Sequence, residues 1–196
     1  MQVCPSGYYA INSTTNRVCT TICDNGFWAD NYTRTCVNLK RNCSNQTYAD
    51  TARKMCVIGT SCTTGTYADP ITMGCESRCN SSTQFGDPST NLCVTRCPTS
   101  PDYYSLNGLC TDTCTNGTFA DYQANRSCVA RCSISPKALY GTSAFRCVQA
   151  ALCGPGLFGD NSTQLCSSCT GSLPYGDPII RQCVTNCSLT YYGDIH

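Results

Sequence analysis

The residue type that brings the most chemistry to this chain is cysteine, at 21 of 196 residues. Thiols at that density are spent either on zinc or on disulfides. Structural zinc draws on C-x-x-C knuckles, or on cysteine with histidine at short ligand spacing. The sequence has one C-x-x-C, Cys166 to Cys169, and one histidine, His196. Zinc therefore fits poorly and oxidation fits well. Cysteine above ~8–10% marks a disulfide scaffold, and such scaffolds belong to the oxidising space outside the cell.

Asparagine offers a second chemistry. Nine of the 14 asparagines stand in Asn-x-Ser/Thr: Asn12, Asn31, Asn42, Asn45, Asn80, Asn116, Asn125, Asn161 and Asn186. With Ser and Thr making up about 23% of residues, chance places about three there. The excess predicts N-glycosylation of a secreted chain. Asn42 and Asn186 are the weaker sites, because cysteine fills the middle position.

Catalytic chemistry has little to draw on. The histidine is terminal, and the cysteines are expected to be consumed by bridges. The acidic residues recur singly and do not converge as a pair. A recurrent Asp could bind Ca²⁺, but that ion takes about six to eight oxygens; an Asp that caps a turn fits better. The expectation is a non-enzyme with no cofactor and no metal.

What must hold these residues is a repeat. Cysteine spacings alternate between long gaps of 13–15 residues and short gaps of 3–7. Units open at Cys4, Cys23, Cys43, Cys62, Cys79, Cys97, Cys114, Cys132, Cys153 and Cys169, with a partial unit from Cys187. The mean period is near 18 residues, and a fixed period of this kind marks an array. Each unit carries one aromatic: Tyr9, Trp28, Tyr48, Tyr67, Phe85, Tyr104, Phe119, Tyr140, Phe158, Tyr175 and Tyr192. Asp follows two residues later at 30, 50, 69, 87, 121, 160, 177 and 194; Ile11, Leu106 and Thr142 replace it elsewhere. Twelve to fourteen residues between cysteines suit two short strands and a turn, and Asp-Pro, as at Asp69-Pro70, favours turn initiation. The fold expected is small, disulfide-rich and mostly β. It is an elongated tandem array of about ten two-cysteine hairpins with little helix. The aromatic, small residue, Asp step should set one ring per module against its neighbour, Ala or Gly leaving room for it.

Parity leaves two pairing schemes open, across long gaps or across short ones. The long gap varies by two residues and the short gap by four, and a closed hairpin has the more fixed geometry. The preferred pairs are Cys4–Cys19, Cys23–Cys36, Cys43–Cys56, Cys62–Cys75, Cys79–Cys93, Cys97–Cys110, Cys114–Cys128, Cys132–Cys147, Cys153–Cys166 and Cys169–Cys183. Each closed loop is worth about 3 kcal/mol on the chain-entropy estimate. That contribution matters, because Leu, Ile, Val and Phe make up only about 16% of the chain, below the ~20% at which a chain builds a core unaided.

A net charge of +1 and no basic run argue against nucleic acid, and the Leu39-Lys40-Arg41 patch reads as an exposed linker. No stretch approaches 18 apolar residues, so no membrane span is expected. The opening MQVCPSGYYA lacks a leader and the unit from Cys187 lacks its second cysteine. The expectation is therefore one continuous array over 1–196, cut from a longer one.

Segments such as TGTYADPITMGC and FGDPSTNLCVTRCP resemble the cysteine-rich repeat proteins of ciliates and related protists. These are grouped with furin-like and growth-factor-receptor cysteine-rich repeats. The resemblance implies a surface or extracellular place and a structural or coat role. The function expected is a glycosylated structural repeat protein that forms, or stacks into, a filament, hair or coat, with copies of itself as partners. The alternative is a receptor or adhesin ectodomain that binds a protein or glycan ligand. For that role the divergent unit CSISPKALYGTSAFRC, from Cys132, is the best candidate.

Overall fold

The computed structural model describes residues 4–12, 17–80, 82–115 and 117–187. Asn116 and Tyr192 lie outside them, as does the side chain of Asn12.

The repeating element is a hairpin of short strands, three residues each in most modules, joined in most of them by a four-residue loop. In the second module Trp28–Asp30 pairs antiparallel with Thr35–Val37, so that Ala29 faces Cys36 and Asp30 faces Thr35. The loop is shaped by two devices. The Asp30 carboxylate accepts the Tyr32 N–H at 2.9 Å, the local bond that makes Asp a turn former. Two residues before the second cysteine the backbone turns left-handed, with φ 54° at Arg34. The same position is left-handed at Lys54, Met73, Asn91, Gly108, Arg126, Phe145, Gln164 and Arg181.

The strands are β1 (Tyr9–Asn12), β2 (Arg17–Thr20), β3 (Trp28–Asp30), β4 (Thr35–Val37), β5 (Tyr48–Asp50), β6 (Met55–Val57), β7 (Tyr67–Asp69), β8 (Gly74–Glu76), β9 (Phe85–Asp87) and β10 (Leu92–Val94). They continue as β11 (Tyr104–Leu106), β12 (Leu109–Thr111), β13 (Phe119–Asp121), β14 (Ser127–Val129), β15 (Leu139–Gly141), β16 (Cys147–Gln149), β17 (Phe158–Asp160), β18 (Leu165–Ser167), β19 (Tyr175–Asp177) and β20 (Gln182–Val184). The only helical pieces among the described residues are single 3-10 turns at Lys40–Asn42, Gly59–Ser61 and Ala150–Leu152. They fall in the longest linkers and take up the extra residues there.

The chain divides into two compact units, residues 1–97 with 107–110, and residues 98–106 with 111–196. Within the first the strand order is β12-β9-β10-β7-β8-β5-β6-β3-β4-β1-β2. Within the second, β13-β14-β11 form one run and β16-β15-β18-β17-β20-β19 a six-stranded sheet. One rule generates both: the first strand of each hairpin lies parallel to the second strand of the next hairpin along the chain. Parallel neighbours need a crossover of a dozen or more residues, and here the intervening linker, strand and loop supply it.

Ten disulfides close across the long gaps: Cys4–Cys19, Cys23–Cys36, Cys43–Cys56, Cys62–Cys75, Cys79–Cys93, Cys97–Cys110, Cys114–Cys128, Cys132–Cys147, Cys153–Cys166 and Cys169–Cys183. Cys187 is half-buried and unpaired among the described residues. The interior is a series of small clusters, most of them built from disulfide cysteines, a small residue and a ring, such as Cys43, Ala49 and Cys56 under Trp28 and Val37. The linker patch is only partly exposed: Leu39 and Arg41 face solvent, while Lys40 pairs with Glu76.

Candidate functional site

The feature repeated with the most detail is the junction between one module and the next. Three contacts build it, and the first two each use a residue at a fixed distance from a cysteine.

The first is a backbone bond. The N–H of the small residue in one module donates to the carbonyl of the left-handed residue in the next. Ala10 donates to Arg34, Ala29 to Lys54, Ala49 to Met73, Ala68 to Asn91 and Gly86 to Gly108, at 2.8–3.0 Å. In the second unit Ser105 donates to Arg126, Ala120 to Phe145, Gly141 to Gln164 and Gly159 to Arg181, at 2.8–2.9 Å.

The second is the carboxylate. Asp30, Asp50, Asp69, Asp87, Asp121 and Asp177 are each 2% exposed or less. In Asp30, Asp50, Asp69 and Asp121 one oxygen holds the module's own turn, and the other reaches the residue just after the first cysteine of the next module. Asp50 Oδ2 accepts the Thr63 N–H at 2.9 Å and its hydroxyl at 2.7 Å. Asp69 Oδ2 accepts the Asn80 N–H, and Asp121 Oδ2 the Ser133 N–H, both at 2.7 Å. Asp30 makes the same reach to Ser44, more loosely, at 3.3 Å. At Asp87 the corresponding position is Pro98, which has no N–H; its oxygens take the Ser89 and Thr90 hydroxyls at 2.7 and 2.8 Å. The threonine of the repeat acts likewise on Asp30, through Thr33 at 2.9 Å.

Electrostatics follow from these donors. Burial works to raise the Asp30 carboxyl, and donors from Ser44, Tyr32 and Thr33 overcome it and hold the group below its ordinary value. Asp160 is lowered in the same way: burial opposes, and donors from Ser162 and Thr163 prevail. Hydrogen bonding to the charged form favours that form.

The third contact is the ring. Tyr9 packs with Cys23 and Ala29 of the next module. Trp28 packs on the cluster around Ala49, Tyr48 on that around Ala68, and Tyr104 against Cys114 and Ala120. Where glycine replaces alanine the fit is closer still. A Cβ on Gly86 would lie 2.6 Å from the Tyr67 ring, and one on Gly159 2.6 Å from the Tyr140 ring. The Phe119 ring fills the corresponding space at Gly141, and the Phe158 ring that at Gly176. Phe85 and Tyr175 are half-buried. Eight modules thus lay one ring each on the next module's small residue. The interiors of proteins are packed tightly enough that such a methyl-sized allowance counts.

A fourth contact has no counterpart in the sequence reading. The left-handed residue, where it is arginine, reaches back over the preceding module. Arg126 stacks 4.8 Å from the Tyr104 ring centroid and donates to the Tyr103 carbonyl at 3.1 Å and to Asp102 at 2.9 Å. Arg181 lies 4.9 Å from the Phe158 ring and donates to the Gly154 and Leu157 carbonyls at 2.8 and 3.2 Å. Arg34 reaches the Cys4 carbonyl at 3.1 Å. The position hosts Arg, Lys, Met, Asn, Gly, Phe and Gln, so side-chain type hides it. Its constant two-residue distance from the cysteine is the signal that could have found it.

The described sequon asparagines at 31, 42, 45, 80, 125, 161 and 186 are all exposed. Two of them also join the junction. Tyr140 donates its hydroxyl to Asn161 Oδ1 at 2.6 Å, and Tyr9 donates to Asn31 Oδ1. Burial, and then the negative charge of Asp160, raise the Tyr140 hydroxyl above its ordinary value, so the donated proton stays in place.

Chemically, the junction holds. Its carboxylates are occupied by backbone and hydroxyl donors, and its rings by packing. Among the described residues no group of three or more His, Cys, Asp or Glu gathers as a metal site. No helix there is long and apolar enough to cross a membrane. The density of disulfides fits an extracellular protein. No known protein family, curated protein or solved structure matches the chain.

Proposed function

We propose that this chain is an extracellular structural repeat protein, N-glycosylated, whose modules form or stack into a filament, hair or surface coat. One observation carries the reading. Nine junctions share the backbone bond, eight add the ring and four the carboxylate reach, so the chemistry of the molecule is spent on joining like to like. An interface that recurs at fixed spacing and does not close on itself extends into a line of copies, and repeat proteins draw their stability from such neighbour contacts. Staples suit that work, since covalent loops resist an environment with no chaperones or reductants.

The role is that of a scaffold, not an enzyme. The buried acidic groups stand singly, no more than one to a module among the described residues, and the partners are further copies of the chain and its own N-linked glycans. A second reading, a receptor or adhesin ectodomain, draws on the exposed Tyr32 and Tyr122 and on the module opened by Cys132. It is the weaker one, because the aromatics recur at one position and serve the junction.

Electron microscopy of the oxidised, glycosylated protein tests the proposal. Fibrils or sheets with an axial repeat that is a multiple of one module's rise support it. Monodisperse single molecules at high concentration, binding a soluble protein or glycan, would replace it with the second reading.

A further inference from the structure

A cleft of about 470 Å³ lies between the second and third modules of the first unit. That is within the range of sites that hold small molecules, about 300–1,000 Å³. Its floor is apolar: Met55, Val57 and Ile58 from the third module, with Tyr32 on the loop of the second. Tyr32 is 75% exposed and Ile58 59% exposed, so the floor is a patch of apolar surface left without cover. Two sequon asparagines, Asn31 and Asn45, stand on its rim.

These facts combine with the tyrosine hydroxyl. Asn31 Oδ1 is held by Tyr9 from the first module, which fixes the amide plane. A sugar is attached through Nδ2, so the oxygen can keep its bond while the nitrogen carries the glycan. We propose that the first N-acetylglucosamine on Asn31 folds into this cleft. Its apolar ring face and its acetyl methyl cover Tyr32, Val57 and Ile58, strapping the second module to the third. The inference rests on the reading that the chain is N-glycosylated. Asn31 is preferred over Asn45 because its amide is already oriented by a neighbour. The physical reasons are those of any amphipathic partner: apolar area removed from water, with the sugar hydroxyls left facing solvent.

The test uses the full chain from a eukaryotic host, labelled with ¹³C in N-acetylglucosamine. Glycopeptide mass spectrometry first reads occupancy at Asn31. The expected result is an occupied site whose acetyl methyl shows nuclear Overhauser contacts to Val57 and Ile58. Native-state digestion with an amidase that removes N-glycans should release the Asn31 glycan several-fold more slowly than the one on the exposed Asn125. Asn45→Gln should leave both results unchanged. Ile58→Ser, which alters only the exposed floor, should weaken the contacts and speed release. An occupied Asn31 with no contacts and unprotected release would overturn the inference and leave glycosylation standing. An unmodified Asn31 would overturn the inference; glycan missing from every sequon would remove the glycosylation reading as well.

Discussion

Replacing Asp121 by Asn separates the carboxylate clamp from the rest of the junction. Asp121 is fully buried. Its Oδ1 accepts the Gln123 and Ala124 N–H groups at 2.7 and 3.2 Å, and its Oδ2 accepts the Ser133 N–H of the next module at 2.7 Å. Asparagine keeps one oxygen for the turn and presents an NH₂ to the Ser133 N–H, donor against donor. A hydrogen bond to a charged group is worth about 1.5–3 kcal/mol, and leaving a buried donor unsatisfied costs about 1–3 kcal/mol. The two overlap, which sets the expected loss at about 2–4 kcal/mol. In a repeat chain stabilised mainly by neighbour contacts the loss stays local. Native-state hydrogen exchange is therefore the assay, with tenfold per 1.4 kcal/mol as the conversion. The Ser133 amide should exchange about 30- to 700-fold faster, while the Gly159 amide, two modules on, keeps its protection. Unchanged protection at Ser133 would refute the clamp. Equal loss at both amides would refute its locality.

The remaining expectations concern other parts of the junction. Gly159→Ala should destabilise by about 1–3 kcal/mol, the usual cost of overpacking, because the new Cβ meets the Tyr140 ring at 2.6 Å; a thermal midpoint equal to the parent would count against the ring contact. Arg126→Lys should behave nearly as badly as Arg126→Ala, since lysine lacks the planar fork that both stacks and donates; the readout is protection of the amides of the sixth and seventh modules, and full rescue by lysine would leave only charge as the cause. Asp30 has a folded value below its ordinary one, so its contribution is complete above the unfolded value of about 3.9 and is lost as pH falls through the lower folded value. The thermal midpoint should therefore drop between about pH 4 and pH 2, and drop less in Asp30→Asn; equal slopes would exclude Asp30 as a source. Unreduced peptide mapping should give a linked Cys62–Cys75 peptide, and a Cys75–Cys79 link would be incompatible with the hairpins as described.

The fold class was legible because disulfide repeats write their period in one residue type. The gap lengths measured the hairpin and the linker separately, and even the excess residues of the long linkers at Lys40 and Gly59 could be located, though not their 3-10 turns. Part of the junction was also legible. Ring, small residue and Asp stand three in a row in most modules, and a small residue beside a ring invites the thought of a neighbour's ring above it. The other half was hidden for a physical reason: it is made of backbone. The carbonyl that receives the Ala29 N–H belongs to Lys54, and the one that receives the Ala49 N–H belongs to Met73. Neither side chain announces a bond its main chain makes. The same holds for Ser133, whose role is to own an N–H. Pro98 shows the rule by its exception, since the module before it must hold Asp87 with hydroxyls of its own loop. It follows that drift at these positions is permitted so long as φ and N–H survive. The residue two before the second cysteine tolerates Arg, Met and Phe alike, whereas proline there, fixed at φ near −65°, would break both the loop and the step to the next module. A single Lys54→Pro change should then cost more than removal of any side chain in that module, because it takes away the turn and the Ala29 bond together.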